Sequence, residues 1–598
     1  MESRSHRVTT IIMLSVIPLW SLCFVLLSMI PSSIGGDVKL TPVIKTLDGP
    51  IVGKVQSQGG TDLNFFLGVP YAKPPVGDLR FQLPQPMDKY TDVYEATELG
   101  PRCMQPRLLL SYIRQEMSED CLYLNIITPG DSLGKGPKYP VMISILHESH
   151  LTGSGNDEIY LKAELVKRRN IILVTLNSRL NFFGYAKTEA EDGLAGNMAL
   201  WDENFAIRYV KNNIEAFGGD PNLITIRGQG SGGTNVRAHT FSPYARGLFK
   251  NTIVEDRGYI ILGERKLDRV EASTDIVLDR VGCLKAKDRL KCLQDVSAED
   301  IISALPKRYV AFAPIIDSNY HTITSTNAEQ VEVSNDVNTL FGFAADYGSI
   351  DLATVVPEIY AKAELTYDDA LDALSIFVES NQVKKIAEIF IGDPNKPISI
   401  RKIQDGLVRF FNEIVPCDLY YAANLIAEAD NLKKGVYTYE YNHVAQSNEY
   451  KLCDIDRELG VCVRNQQSPI FGQPYSSYWF HNPADRKMAD IMMDIYSSFM
   501  RTGKPQLPNG KDWPNWNDPK SKDPVIATVV LDPKNGGYVD TYSPKFCLDN
   551  LDLVNSSLIN KFHPFDRYEL ETQAKVDKKS SYTDFLYNAI QSIYYIDY

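Results

Sequence analysis

Apolar positions fall into two rhythms along the central part of this chain. Residues 141–146 and 171–176 are near-continuous apolar runs rich in Ile, Val and Leu, with the length of strands buried on both faces. Residues 158–169 between them read as a helix. The order strand, helix, strand predicts a βαβ unit and a parallel sheet, hence an α/β fold. From 197 to 216, Leu200, Phe205, Ile207, Val210 and Ile214 supply the apolar positions of a helix, and Gly218-Gly219 supplies its stop. A β-branched strand, Ile224-Thr225-Ile226, then runs into Gly228-Gln229-Gly230-Ser231-Gly232-Gly233, a glycine-dense turn before another helix.

Upstream, residues 38–129 hold short extended runs broken at Gly49-Pro50 and Gly59-Gly60. The proline-rich piece from Gly68 to Pro75 predicts a surface loop, because proline cannot donate to a sheet. Residues 119–126 read as a strand. Downstream, 265–425 reads as helical and acidic, 436–441 alternates like a strand, and 487–500 reads as a helix. After about Pro564 the chain turns polar and tyrosine-rich, which predicts a partly disordered tail.

The first 36 residues carry a targeting signal. Arg4, His6 and Arg7 precede an apolar run over 11–30, and Ser32, Ser33, Gly35 and Gly36 follow. That is a secretory signal peptide, or a signal anchor if left uncleaved. Either sends the remainder to the exoplasmic side, and only an uncleaved N-terminal segment would tie it to a membrane. Beyond Cys23 there are eight cysteines of the nine: Cys103, Cys121, Cys283, Cys292, Cys417, Cys453, Cys462 and Cys547. An even number in a secreted chain predicts disulfides. No C-x2-C pair suggests zinc. Asn555-Ser556-Ser557 is a glycosylation sequon. The net charge of −13 argues against nucleic acid as a partner.

The glycine turn admits two chemistries. As G-x-G-x-x-G after a strand, with Glu255 some twenty residues on, it fits a dinucleotide site; yet several strands precede it, where that motif normally follows the first. As a strand-turn-helix it fits a nucleophile elbow. His147 and His150, three apart, lack an obvious third ligand and read as a surface loop rather than a metal site. No cofactor is expected.

Several ordered stretches resemble the cholinesterase and type-B carboxylesterase family: Phe66-Leu67-Gly68-Val69-Pro70-Tyr71-Ala72, Glu119-Asp120-Cys121-Leu122-Tyr123-Leu124-Asn125, Asn177-Ser178-Arg179-Leu180, Ala216-Phe217-Gly218-Gly219-Asp220-Pro221-Asn222 and Phe499-Met500-Arg501-Thr502-Gly503-Lys504-Pro505. The resemblance implies an α/β-hydrolase fold over residues 37–564, with a large, mostly parallel central sheet and helices on both faces, and 565–598 as the tail. It implies the pairings Cys103–Cys121, Cys283–Cys292 and Cys417–Cys547, with Cys453–Cys462 as an added local link.

It also implies a catalytic serine in G-x-S-x-G, and here the chain departs from the family. The register of residues 220–226 puts Gly228 and Gly232 on the motif's glycines and Gly230 on its serine. Ser231 is one residue late, a weak candidate nucleophile. His147-Glu148-Ser149-His150-Leu151 stands where the oxyanion loop has glycines. Tyr347 stands at the acid's place and Phe471 at the base's. Four altered parts imply a non-catalytic protein. It resembles the family's adhesion members, glutactin, neurotactin and the neuroligins, and the secreted glutactin type most. That implies an extracellular protein partner and allows a homodimer. The alternatives are an ester hydrolase acting through Ser231 and a binder of a small apolar ligand.

Overall fold

The computed structural model describes residues 38–106, 116–134, 136–188, 193–256, 267–306, 312–315, 336–346, 359, 364–375, 381–429, 434–446, 461, 464–476, 481–507, 509–510, 512–515, 526–533 and 538–542. The signal segment, Tyr347, Cys453, Cys462, Cys547, Asn555 and the tail lie outside the described residues, as does the side chain of Cys417. The chain divides into two units, Met1–Leu40 and Thr41–Tyr598; the second carries everything below. Among the described residues no helix is long and apolar enough to cross a membrane.

An eleven-stranded sheet organises the second unit. Its strands in chain order are β1 (Lys54–Gln58), β2 (Thr61–Pro70), β3 (Tyr123–Pro129), β4 (Tyr139–Ile145), β5 (Ile172–Leu176), β6 (Gly219–Gln229), β7 (Asn251–Glu255), β8 (Asn338–Ala344), β9 (Val436–Tyr441), β10 (Ile526–Leu531) and β11 (Tyr538–Tyr542). Their spatial order is β11-β10-β9-β8-β7-β6-β4-β5-β3-β2-β1. The strands from β5 through β10 pair in parallel. β1 to β3 and β11 pair antiparallel at the two ends. The expected α/β sheet is present.

The parallel strands are apolar on both sides because both sides are covered. In β4, Val141, Ile143 and Ile145 join a core with Ala206, Ile207 and Val210 of helix α1 (Met198–Asn213). Met142 points the other way, into a core with Met488, Ile491 and Met492 of helix α3 (Pro483–Thr502). Helix α2 (Ser231–Phe241) follows β6 directly. Each fully buried aliphatic side chain contributes about 1.5–3 kcal/mol. The Cys103–Cys121 and Cys283–Cys292 bridges are both formed.

Two expectations need correction. The piece from Gly68 to Pro75 is no surface loop: β2 runs to Pro70 between two neighbours, and Tyr71, Ala72 and Pro75 are buried. A register shift between Phe66 and Val69 absorbs the irregularity, so the proline falls at the strand's end where its missing N–H costs little. The single helix expected over 158–169 is two short ones, Glu158–Leu161 and Glu164–Arg169. Ala163 between them takes a left-handed backbone, φ 54°, which no helix interior accommodates.

Candidate functional site

β6 pairs with β4 through Gly228 and with β7 through Gln229, so the glycine turn emerges at the carboxyl edge of the parallel strands. That edge is where open α/β sheets carry their sites. The turn itself is Gly230, with φ 56° and ψ −123°. Its flanking glycines are sterically required. A Cβ at Gly228 would overlap the Gly232 carbonyl, and one at Gly232 would lie 2.5 Å from the Ile145 oxygen. A Cβ at Gly230 would meet nothing within 4 Å. The turn is a strand-to-helix elbow whose apex residue bears no side chain.

Ser231 opens α2, and Asn235 and His239 follow at i+4 and i+8 on the same face. That face meets Glu203 of α1 and the loop after β4. The Ser231 hydroxyl donates to the His147 carbonyl at 2.9 Å and accepts the His150 backbone N–H at 3.2 Å. His147 Nδ1 is 2.9 Å from the same oxygen. The other ring nitrogen, Nε2, faces Glu203 Oε1 at 3.3 Å and Asn235 Nδ2 at 3.0 Å. Asn235 Nδ2 donates to Glu203 Oε1 at 2.7 Å, and Ser178 Oγ donates to it at 3.2 Å. His239 Nε2 lies 2.9 Å from Oε2. Glu203 is completely buried. Burial alone would raise its carboxyl; the imidazoles of His147 and His239 override that and hold it down at about 2.

The surface-loop reading of residues 147–150 needs correction at its two histidines. His147 and His150 are both buried against α2, while Glu148 is half-buried and Ser149 is exposed, so only the histidines depart from a surface loop. Ser149 and His150 have left-handed backbones, φ 51° and 57°. Glu148 points elsewhere: it forms an ion pair with Arg464.

On the opposite side of the elbow, Gln229 donates through its amide to Asp256, the residue after β7. Asp256 Oδ1 accepts the Ala344 N–H at 3.1 Å, and Oδ2 accepts the Arg464 N–H at 3.0 Å. Burial pushes this carboxyl up to about 6; hydrogen bonds from Gln466, Gln229 and Arg464 oppose the rise, and the Glu255 charge adds to it. Behind it, the fully buried Arg227 pairs with Glu255, which also accepts the hydroxyls of Tyr439 (2.7 Å) and Tyr496 (2.5 Å). Glu255 thus serves a core ion pair, in place of the ribose contact that a dinucleotide site would need.

Phe471 is set in the core, edge-on to Tyr160 at 4.7 Å, with the Arg227 guanidinium 5.2 Å from its ring centre. The segment that reaches the elbow's neighbours is instead Arg464–Gln466, seven residues upstream of Phe471. Sequence reasoning missed Glu203, Asn235, His239, Asp256 and Arg464. The spacing of four from Ser231 to Asn235 to His239 was the available signal for two of them.

A family model described as the carboxylesterase family matches residues 40–535. A carboxylic ester hydrolase of Bombus ignitus is 30% identical over 492 residues, covering 78% of this chain and 86% of its own. A juvenile hormone esterase of Tribolium castaneum is 27% identical, covering 82% and 88%. Acetylcholinesterase-1 of Trittame loki is 27% identical, covering 85% and 95%. With a matching strand-elbow-helix at the carboxyl edge of such a sheet, the chain belongs to the carboxylesterase family.

Proposed function

We propose that this chain is a non-catalytic, extracellular member of the carboxylesterase family that works by binding another protein. The observation that carries the non-catalytic half is Gly230. Acyl transfer at an elbow needs a nucleophilic atom at the apex, and the apex here ends at Cα. The surroundings agree. Ser149 and His150 put side chains on the loop that would have to bring backbone N–H groups to a developing negative charge. The His150 N–H, which such a loop would offer to an oxyanion, is spent on Ser231. The protein-binding half rests on resemblance to the family's adhesion members and on the secretory signal at 1–36.

A second reading has one observation in its favour: Ser231, His147 and Glu203 form a serine-imidazole-carboxylate string. Such a string is the composition of a hydrolytic triad. The bonding at Ser231 weighs against it. A hydroxyl oxygen has one proton and two lone pairs. Here the proton goes to the His147 carbonyl, and His147 Nδ1 and His150 N occupy the lone-pair directions. The hydroxyl proton is directed at a carbonyl instead of at the imidazole that would have to take it as base.

One experiment separates the readings. The secreted protein is incubated with a short aryl ester and with an organophosphonate probe. No turnover and no labelling are expected. Stoichiometric labelling of Ser231 would sink the non-catalytic reading. A cell-surface binding screen tests the partner half, and no saturable binding to any cell type would count against it.

A further inference from the structure

Nine described non-glycine residues have left-handed backbones, and four of them, Ser149, His150, Asp256 and Arg464, belong to one connected cluster around Gly230. Such conformations are costly for L-residues and gather where surrounding structure enforces them, commonly at functional sites. What this cluster holds is an ion pair between Arg464 and Glu148. Each end is tied to a different neighbour of Gly230. The Arg464 backbone is fixed on Asp256, which holds Gln229. Glu148 follows His147, which is bonded to Ser231. The pair therefore links residues bonded to both neighbours of Gly230, where an added Cβ would meet nothing within 4 Å.

The bridge is reachable. The Arg464 side chain is 21% exposed and that of Glu148 is 35% exposed. A guanidinium is a planar fork that matches a carboxylate, and although burial lowers Arg464 to about 10 it stays charged at neutral pH. Here it is pinned at its own backbone, and its present partner rides on a loop with two consecutive left-handed residues, Ser149 and His150.

We propose that Arg464 is the anchor of a binding site for small organic carboxylates, and that Glu148 is the built-in competitor that occupies the guanidinium in the free chain. A ligand carboxylate replaces the Glu148 carboxylate charge for charge, so no buried cation is left unpaired during the exchange. The exchange moves only the Glu148 side chain, since the loop backbone stays bonded to Ser231 and Thr152. Recognition comes from contact rather than from long-range attraction, because the chain carries a net charge of −13. The inference rests on the reading that Gly230 leaves room rather than a nucleophile at the elbow.

The test uses the full secreted chain and titrates hexanoate by calorimetry, with hexanamide as the uncharged control. Wild type binds hexanoate weakly, because the tethered Glu148 is present at high effective concentration. Glu148→Gln removes the competitor and should bind hexanoate about tenfold or more tightly. The double variant Glu148→Gln/Arg464→Gln leaves no lone charge, so it should fold, and it should lose the gain. Thermal unfolding of each variant confirms folding. Glu148→Gln binding no tighter than wild type, or hexanamide matching hexanoate, overturns the proposal. Aryl-ester turnover by the same samples would remove the non-catalytic reading while leaving the carboxylate titration to stand or fall by itself.

Discussion

Two buried carboxylates flank Gly230, and they differ in everything but burial. Glu203, on the α1–α2 side, is held near 2. Asp256, on the β7–β8 side, is pushed up to about 6. Desolvation raises both. Glu203 overcomes it because two imidazoles and an amide converge on it. Asp256 has only neutral donors, Gln229, Gln466 and the N–H groups of Ala344 and Arg464, and another carboxylate, Glu255, next in sequence. The partners, not the depth, decide which buried acid stays charged. The Glu203 side is an ionic clamp across three segments; the Asp256 side is a polar junction that gains from a proton.

That contrast can be broken most forcefully at Glu203. Replacing it with Ala leaves His147 and His239 facing a void and should destabilise the fold by about 3–5 kcal/mol, read from urea unfolding. A loss below about 1 kcal/mol would mean that the clamp is no more than a surface-strength contact. Ser231→Ala comes next. It orphans the His147 carbonyl and the His150 N–H, and should cost about 1–3 kcal/mol in the same assay. No change there would show that the loop holds itself.

The Asp256 side is tested through pH. Its folded value, about 6, lies above the ordinary 3.8, so the folded state binds this proton more tightly than the unfolded chain does. Its contribution is complete below the unfolded value and is lost as pH rises through about 6. Stability should therefore fall by roughly 1 kcal/mol between pH 5 and pH 7 on this group's account. Glu203 has the opposite sign: its contribution is present above 4.5 and is lost only as pH falls toward 2. The two windows overlap only between 3.8 and 4.5, so of the two groups Asp256 alone is read between pH 5 and 7. Asp256→Asn should flatten the slope between pH 5 and 7; a slope that survives the substitution must come from other groups. The smallest expected effect is Gly230→Ser. The Cβ has room, though the φ of 56° strains any side chain there, and the variant should gain no measurable ester turnover, because Ser231 already holds the His147 imidazole. Robust turnover would show that the serine alone was missing.

The frame of the site was open to sequence reading. The strand 224–226, the obligatory glycines at 228 and 232 and the helix stop at Gly218 are local signals, each enforced by sterics within a few residues. Strands at 141–146, 171–176 and 436–441 appear within two residues of where their side-chain pattern placed them. What surrounds the elbow was harder to read. Glu148 beside two histidines suggested a solvated loop, since its partner Arg464 lies 316 residues away. Asp256 carries no pattern at all; it is made a hub by β6, β8 and the 464–466 segment meeting it in space. Phe471, aligned by a neighbouring glycine, turned out to be core, because a Phe-Gly pair fits a helix end as well as a catalytic loop.

One feature of α2 reaches beyond chemistry. Every one of its eleven residues is buried, although most of them are polar or glycine. A helix with no solvent-facing stripe cannot fray by itself, since each opened turn would uncover bonded polar groups on all sides. Its amide protons should therefore exchange with deuterium only when the whole domain opens, among the slowest in the molecule. Most enzymes place mobile, weakly protected elements around their sites. Here the segment that begins at the elbow is instead buried along its whole length.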